Sequence, residues 1–266
     1  MGAFNSVESQ DGTVVGFETL GQGPPMVLVH GTTADRSRWL PIRARLAERF
    51  TVHAVDRRGR GLSTKEGGAY HIDREAEDIA AIVNAVGPNV YLVGHSYGAL
   101  CSLGAALLTD SIRAIVLYEP PASTPGHAVT PPEILERLRS VSATGDPEGL
   151  LETFFREVIH SSPADLAAMK RTPIWQARLA AAHTLVRELD SVERFAITDR
   201  LSRIAVPVRI LLGTVSPPYF RPAAEAVAKR IPDAEVIPLH GQSHMAIDTD
   251  PDQVVSAIFT FAERHA

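Results

Sequence analysis

The chain has little cysteine, no long apolar run and no block of like charge, and each absence excludes a class of protein. Its 266 residues contain one cysteine, Cys101, so no disulfide can form within the chain and nothing indicates an oxidising compartment. No apolar run approaches the roughly 18 residues that a membrane-spanning helix needs. The segment 1–12 also lacks the basic and apolar regions of a signal peptide. The sequence therefore predicts a cytoplasmic protein that does not contact a membrane.

The charged residues are mixed along the chain, with 26 basic against 31 acidic side chains. Such a balance offers no basic surface for nucleic acid, so we expect a small-molecule substrate instead. The sequence contains no cluster of metal-ligating residues and no glycine-rich phosphate loop, and it predicts neither a metal nor a cofactor. It does not determine the oligomeric state, and a homo-oligomer stays an open alternative.

Eight stretches have the length and composition of β-strands. Two of them alternate weakly, at 4–8 and 13–19, and predict an opening antiparallel hairpin around Asp11 and Gly12, which tolerate the positive φ of a tight turn. The other six are continuous apolar runs, which indicate strands buried on both faces. These six runs span 26–30, 50–55, 90–93, 112–118, 208–212 and 234–239.

Helical patterns separate these strands, which predicts an α/β fold with a doubly wound, mostly parallel sheet. The helices between and after the strands are expected at 36–48, 73–86, 96–108, 222–230 and 251–264. Strand signals stop between the sixth and seventh strands, where helical patterns occupy 131–142, 146–159, 163–170 and 174–189. We therefore expect a core formed by 1–119 and 205–266, with a helical cap inserted at 120–204.

The strongest chemical signal is the sequence Gly-His-Ser-Tyr-Gly at 94–98, directly after a strand and at the start of a helix. This is the context of a nucleophile elbow, in which a sharp turn exposes the serine hydroxyl above the sheet. Glycines on both sides keep side chains from colliding with the neighbouring strand and helix. The motif predicts Ser96 as a nucleophile.

The order of the motifs resembles that of the α/β-hydrolase superfamily over essentially the whole chain. Four motifs follow successive strands: His-Gly-Thr at 30–32, Asp-Arg-Arg-Gly-Arg-Gly-Leu-Ser at 56–63, the elbow at 94–98 and Gly-Gln-Ser-His at 241–244. The resemblance implies an eight-stranded α/β-hydrolase sheet with a helical cap between strands six and seven. It also implies His244 as the catalytic base, because the base comes last in the chain order of this superfamily. By the same motifs, the backbone amides of Thr32 and Tyr97 would form the oxyanion hole.

The third catalytic residue is where the chain departs from its relatives. Similar enzymes usually carry an aspartate after the penultimate strand, but Ser216 stands in that place. A hydroxyl cannot stabilise an imidazolium as a carboxylate does. Haloalkane dehalogenases and some lactone hydrolases of the superfamily take their acid from the end of the sixth strand, where this chain has Glu119. We therefore predict Glu119 as the acid, with Asp199, Asp248 and Asp250 as weaker candidates. Dehalogenation needs a carboxylate nucleophile, and Ser96 in that place argues against it.

Substrate contacts are expected mainly from the cap, because it would roof the elbow. The aromatic candidates are Trp39, Phe154, Trp175 and Tyr219. Arg57 and Arg58 lie beside the expected site, where they would either favour an anionic substrate or only hold their loop.

These features predict a serine hydrolase that cleaves a carboxylic ester, a lactone or a related acyl bond through a Ser-His-Glu triad and an acyl-enzyme. Two alternatives stay open. The same residues could catalyse cofactor-free C–C hydrolysis, perhydrolysis, or a cyclase or lyase reaction of secondary metabolism. A catalytically silent receptor for a small molecule could also have kept the pocket.

Overall fold

The computed structural model describes residues 2–266. Within these residues, eight strands form one sheet. They are β1 (Ala3–Glu8), β2 (Val14–Leu20), β3 (Pro25–Val29), β4 (Thr51–Val55), β5 (Val90–His95), β6 (Ile112–Tyr118), β7 (Val208–Gly213) and β8 (Ala234–Leu239). Their order is β1-β2-β4-β3-β5-β6-β7-β8. The β1–β2 and β2–β4 pairs are antiparallel and all other pairs are parallel, so the predicted mostly parallel sheet is confirmed.

Both faces of the central strands are buried, which explains their continuous apolar sequences. In β3, Val27 and Val29 belong to one hydrophobic core, whereas Met26 and Leu28 belong to the core on the opposite face. Successive side chains of a strand point to opposite faces, so a strand covered on both sides needs apolar residues at every position.

The described helices cover the two faces. They are α1 (Leu40–Leu46), α2 (Ile72–Val86), α3 (Tyr97–Ala105), α4 (Pro132–Ala143), α5 (Pro147–Glu157), α6 (Pro163–Lys170), α7 (Pro173–Ala181), α8 (Leu185–Arg194), α9 (Phe220–Arg230), α10 (Ala246–Thr249) and α11 (Pro251–Arg264). Buried side chains of α2, α3 and α9 pack on one face, and those of α1 and α11 pack on the other. In residues 2–266, no helix is both long enough and apolar enough to cross a membrane.

The helices α4 to α8 all lie between β6 and β7. The sequence predicts a single helix over 174–189, and this prediction is wrong. The structure has α7, a short 3₁₀ turn at Ala182–Thr184 and then α8. The Thr184 hydroxyl donates a hydrogen bond to the Ala181 carbonyl (2.8 Å) at this junction, and threonine side chains that bond nearby carbonyls compete with regular helix. The sequence periodicity continues through the junction because both helices bury one side.

The carboxyl ends of β3 and β5 lie side by side, although β4 separates them in the chain. Open α/β sheets bind their ligands at such a switch point, outside the carboxyl ends of the strands. The loops after β3, β5, β6 and β8 carry the residues that the sequence predicts as the site.

Candidate active site

Ser96 lies at a strained turn between β5 and α3. Its backbone has φ 56° and ψ −127°, a combination that non-glycine residues rarely adopt. A Cβ atom at Gly94 would come within 2.7 Å of Ala99 Cα, and one at Gly98 would overlap the carbonyl oxygens of Val29 and His30. The two glycines therefore allow the helix to start against the neighbouring strands, and the turn holds Ser96 at the end of β5.

The loop after β3 packs directly on the serine. A Cβ atom at Gly31 would lie 2.7 Å from Ser96 Cβ, so only glycine permits this approach. His30 fixes the loop, since its Nδ1 donates to the Gly31 carbonyl (2.8 Å) and its Nε2 accepts from the Arg57 amide (3.1 Å). Within residues 2–266, the backbone N–H groups of Thr32 and Tyr97 donate to no protein acceptor. Both amides are thus available to an oxygen atom beside Ser96.

His244 and Glu119 form a close pair. Nδ1 of His244 lies 2.6 Å from Oε2 of Glu119, and Oε1 of Glu119 accepts from the Gly213 amide (2.7 Å). The glutamate is fully buried, and it too has a positive φ, 48°. Ser216 does not join this pair, and its buried hydroxyl has no hydrogen-bond partner within residues 2–266. The carboxylate from the end of β6 is therefore the group that contacts the imidazole.

Stacked rings hold the His244 imidazole on both sides. The centroid of the His95 ring lies 4.7 Å away and that of Phe220 lies 4.5 Å away, with interplanar angles of 29° and 18°. The Tyr118 hydroxyl donates to the Ser243 carbonyl and accepts from the Ala246 amide, which fixes the loop on either side of His244. Sequence reasoning did not assign these roles to Tyr118 and Phe220, because no local motif marks a ring that packs from another strand or helix.

Ser96 and His244 line one cavity, whose volume is about 20 Å³, roughly the space of one water molecule. No hydrogen bond joins their side chains among the described residues. Catalytic hydrogen bonds are often long in free enzymes and shorten when substrate binds. Ser96, Thr32 and His244 thus line the same cavity, and a buried carboxylate contacts His244. A serine, a histidine with a carboxylate and backbone amides are the groups that acyl transfer uses.

The expected aromatic contacts need a correction. Phe154 lines the cavity, together with Phe155, but Trp39, Trp175 and Tyr219 do not. Trp39 packs edge-on against His95 and Trp175 packs against Phe155, while the Tyr219 hydroxyl donates to the Val158 carbonyl (2.8 Å). These three rings support the residues around the cavity. An apolar pattern indicates which side of a helix is buried, but it does not indicate which neighbour each ring meets.

Arg57 and Arg58 hold their loop and are not free to bind a substrate. Both are fully buried and form ion pairs, Arg57 with Glu75 and Glu188 (2.9 Å each) and Arg58 with Asp78 (2.7 Å). Glu188 comes from α8, so this network also ties the inserted helices to the loop after β4. Burial alone would raise the pKa of Glu188, but the charges of Arg57 and its neighbour Arg60 outweigh burial and lower that pKa. Sequence reasoning missed two other buried arginines, Arg38 and Arg178, which line the cavity.

Two buried histidines beside the site are held neutral. Burial lowers the pKa of His30 well below its usual 6.5, and the charges of Arg57 and Arg60 act in the same direction. Burial likewise lowers the pKa of His95, with further contributions from His244 and Arg38. A histidine whose pKa is lower in the folded than in the unfolded state stabilises the fold at pH values above its unfolded pKa. This contribution is lost as the pH falls from the unfolded pKa through the folded pKa.

We therefore expect acidification to destabilise the fold through His95. Between pH 7.5 and 5.5 its contribution to the free energy of unfolding should fall by about 1 kcal/mol, because only the unfolded chain takes up the proton. The measurement is urea unfolding at both pH values for the wild type and His95→Gln. The variant should lose about 1 kcal/mol less of its free energy of unfolding than the wild type. His183→Gln, at an exposed position, is the control, and an equal loss in His95→Gln and wild type would contradict the prediction.

The described residues contain no group of three or more histidine, cysteine, aspartate or glutamate side chains placed to hold a metal ion. No set of side chains at the site therefore indicates a metal-binding role. The chemistry of the cavity is described by the side chains and amides above.

Known proteins share both the sequence pattern and the fold. The model of a family described as "Alpha/beta hydrolase family" matches residues 26–257. The 2-(acetamidomethylene)succinate hydrolase of Mesorhizobium japonicum is 28% identical over 251 residues, which cover 91% of this chain and 89% of that protein. The pimeloyl-[acyl-carrier protein] methyl ester esterase of Xanthomonas campestris pv. campestris is 26% identical over 254 residues, 92% of this chain and 97% of that protein.

A solved structure gives a closer match in sequence. The crystal structure of an alpha/beta hydrolase from Sphaerobacter thermophilus superposes with a TM-score of 0.81 and 34% sequence identity. The alignment covers 96% of this chain and 100% of that chain. The similarity therefore extends across the sheet and the helices inserted between β6 and β7.

Proposed function

Because the chain belongs to the alpha/beta hydrolase family, we propose that it is a serine hydrolase that cleaves an ester, a lactone or a related acyl bond of a small molecule. The two relatives named above are hydrolases, and one of them is named for a methyl ester. One observation carries the proposal for this chain. A buried carboxylate contacts Nδ1 of a histidine that shares a cavity with a serine at a strained strand-to-helix turn.

In the proposed mechanism, Ser96 Oγ attacks the carbonyl carbon of the substrate while Nε2 of His244 takes the hydroxyl proton. The negative charge that develops on the carbonyl oxygen is stabilised by the amides of Thr32 and Tyr97. His244 then gives its proton to the leaving group, and the acyl group stays on Ser96. A water molecule, deprotonated by His244, attacks the acyl-enzyme and releases the acid.

Glu119 is the proposed acid of the triad. Its contact with Nδ1 keeps that nitrogen protonated, so Nε2 can accept the serine proton, and its charge stabilises the imidazolium that forms. The Gly213 amide and the end of β6 hold the carboxylate in this orientation. The stacked rings of His95 and Phe220 limit rotation of the imidazole, so little reorganisation is needed during the reaction.

The helices between β6 and β7 are the proposed cap, which corresponds to the segment 120–204. Phe154, Phe155 and Arg178 reach the cavity from this segment, and Glu188 ties it to the core through Arg57. The cap thus supplies part of the wall of the cavity that contains Ser96, and differences in its side chains would determine which acyl groups fit.

Labelling with a fluorophosphonate tests the proposal. We expect one probe per chain, attached to Ser96. With p-nitrophenyl acetate we expect a burst of p-nitrophenol with an amplitude close to the enzyme concentration, because acylation by this activated ester should be faster than deacylation. His244→Ala should prevent labelling, since the hydroxyl then has no base. The attachment site is read by mass spectrometry of the digested protein.

A wild type that shows no labelling and no burst would contradict the proposed serine hydrolase. Labelling at Ser96 without turnover of any ester would instead favour the alternative triad chemistries, C–C hydrolysis or perhydrolysis. If neither occurs and a small molecule still binds in the cavity, the receptor alternative is favoured.

A further inference from the structure

Two arginines line the cavity that contains Ser96 and His244. Arg38 is 1% exposed and Arg178 is 4% exposed, so both guanidinium groups are largely removed from bulk water. Arg38 lies in the short 3₁₀ helix Arg36–Trp39 before α1, and Arg178 lies on α7, in the inserted helices. One guanidinium group therefore comes from the core and the other from the insertion, and both line the same cavity.

Arg178 has no carboxylate partner among the described residues. Its Nη1 donates to the Thr33 hydroxyl (3.0 Å), its guanidinium carbon lies 5.0 Å from the centroid of the Phe155 ring, and its Nε has no acceptor in residues 2–266. A neutral hydroxyl and an aromatic face leave the charge of Arg178 uncompensated, and burial of such a charge is costly.

Arg38 is only partly satisfied. Its Nη1 pairs with Asp248 (2.7 Å), but within residues 2–266 its Nε and Nη2 have no acceptor. The Asp248 side chain is 34% exposed, so it neutralises Arg38 from the solvent side. The pKa of Arg178 is lowered to about 10, first by burial and then by the neighbouring charge of Arg38, while Asp248 and Asp35 act in the opposite direction. The cavity thus keeps an excess of positive charge with free N–H donors.

The other buried arginines differ from Arg178 because they have carboxylate partners. Each of the other buried arginines forms an ion pair with at least one carboxylate; these are Arg57, Arg58, Arg60 and Arg209. At these four positions a carboxylate therefore compensates the buried guanidinium group. Among the buried arginines of residues 2–266, the one without a carboxylate partner is Arg178, which lines the cavity that contains Ser96.

We propose that the substrate carries a free carboxylate, which Arg178 and Arg38 bind while its acyl bond lies beside Ser96. This inference rests on the serine hydrolase proposed above and names its substrate class. A guanidinium group presents two parallel N–H donors that match the two oxygens of a carboxylate. The cavity has a volume of about 20 Å³, so a short substrate, such as a half-ester of a small dicarboxylic acid, requires the least displacement of the side chains around it. With such a half-ester, the alcohol leaves with the proton from His244, and water releases the dicarboxylate from Ser96.

A structural role is the competing explanation for Arg178. Its hydrogen bond to Thr33 joins α7 to the loop that follows Thr32, so the arginine could simply hold the insertion on the core. The two explanations differ in one measurable respect. A structural arginine would affect charged and neutral substrates equally, whereas an arginine that binds a carboxylate would affect only the charged substrate.

The test compares pairs of esters that differ only in charge. The monomethyl esters of malonic, succinic and glutaric acids are each paired with the neutral methyl ester in which a methyl group replaces the carboxylate. We expect the wild type to prefer at least one charged member by about 100-fold in kcat/KM, the ratio expected when charge-assisted hydrogen bonds are gained. Arg178→Gln should reduce this preference by about 10- to 100-fold and leave the neutral ester nearly unchanged.

Matched variants separate charge from shape. Arg178→Lys keeps the charge but loses the parallel donors, so we expect an intermediate preference. Arg38→Gln should lower the preference as Arg178→Gln does. Arg171→Gln changes an exposed arginine beyond the end of α6 and should have no effect. In the phosphonate analogue of the preferred half-ester, a phosphonate replaces the free carboxylate. The comparison shows which anion the site prefers, and a carboxylate site should favour the carboxylate.

Each outcome decides between the explanations. Equal losses for charged and neutral esters in Arg178→Gln would overturn the proposal and leave the serine hydrolase intact, and a preference for the phosphonate would also overturn it. If no ester is hydrolysed and no fluorophosphonate attaches, the serine hydrolase fails, and calorimetric titration with malonate, succinate and glutarate still tests the site. Binding that Arg178→Gln abolishes would support the carboxylate site, and absence of binding to the wild type would overturn it.

Discussion

Ser96→Ala should reduce kcat/KM for p-nitrophenyl acetate by a factor on the order of 10⁵ to 10⁶, the largest loss that we expect from any single substitution. The alanine cannot form an acyl-enzyme, so only direct attack by water remains, assisted by the two amides at Thr32 and Tyr97. Stopped-flow measurement of p-nitrophenol release should show that the burst disappears together with the steady-state rate.

The control is Ser102→Ala, on the same helix. Ser102 is also buried, but its hydroxyl donates to the Gly98 carbonyl (2.7 Å) and does not line the cavity. We expect this variant to keep its turnover. Thermal unfolding of both variants by circular dichroism would show that the loss in Ser96→Ala is not a loss of fold. A Ser96→Ala variant that retained the burst would contradict the assignment of the nucleophile.

Glu119→Gln should lower kcat by a factor on the order of 10⁴, although glutamine has nearly the same shape as glutamate. Nδ1 of His244 lies 2.6 Å from Oε2 of Glu119. A neutral amide at this place cannot stabilise the imidazolium, and if its NH₂ group faces Nδ1, it favours the tautomer that carries the proton on Nε2. That tautomer cannot accept the proton of Ser96. The measurement is single-turnover acylation of both proteins over a range of pH.

Ser216→Ala is the matched control for Glu119→Gln, because Ser216 stands where similar enzymes usually carry the acid. Its hydroxyl has no hydrogen-bond partner within residues 2–266, so we expect a change of no more than about threefold. The opposite ranking, a severe loss in Ser216→Ala and a mild loss in Glu119→Gln, would show that Glu119 is structural. Equal unfolding temperatures for the two variants would show that the comparison concerns catalysis.

The elbow and the strands were predictable because their causes are local. The glycines on either side of Ser96 are required by contacts within a few residues, and continuous apolar runs are required wherever a strand is covered on both faces. The contact between Glu119 and His244 was also predictable, because only a few positions at the carboxyl ends of the strands can reach the histidine loop. The role of Glu119 as the acid stays a prediction. The break between α7 and α8 was not predictable, since both helices keep an apolar side and the periodicity continues across Thr184.

The sequence by itself determined the mostly parallel sheet, the turn that presents Ser96 and the chain order that brings His244 and Glu119 to the same edge. Only the tertiary structure decided which buried arginines have carboxylate partners. Arg57 and Arg178 are the same residue type, but Arg57 meets two carboxylates, one of them 131 positions away in the chain, whereas Arg178 meets a hydroxyl and an aromatic ring. The partner of a buried charge depends on which distant segments pack together, and no local pattern of residues records that choice.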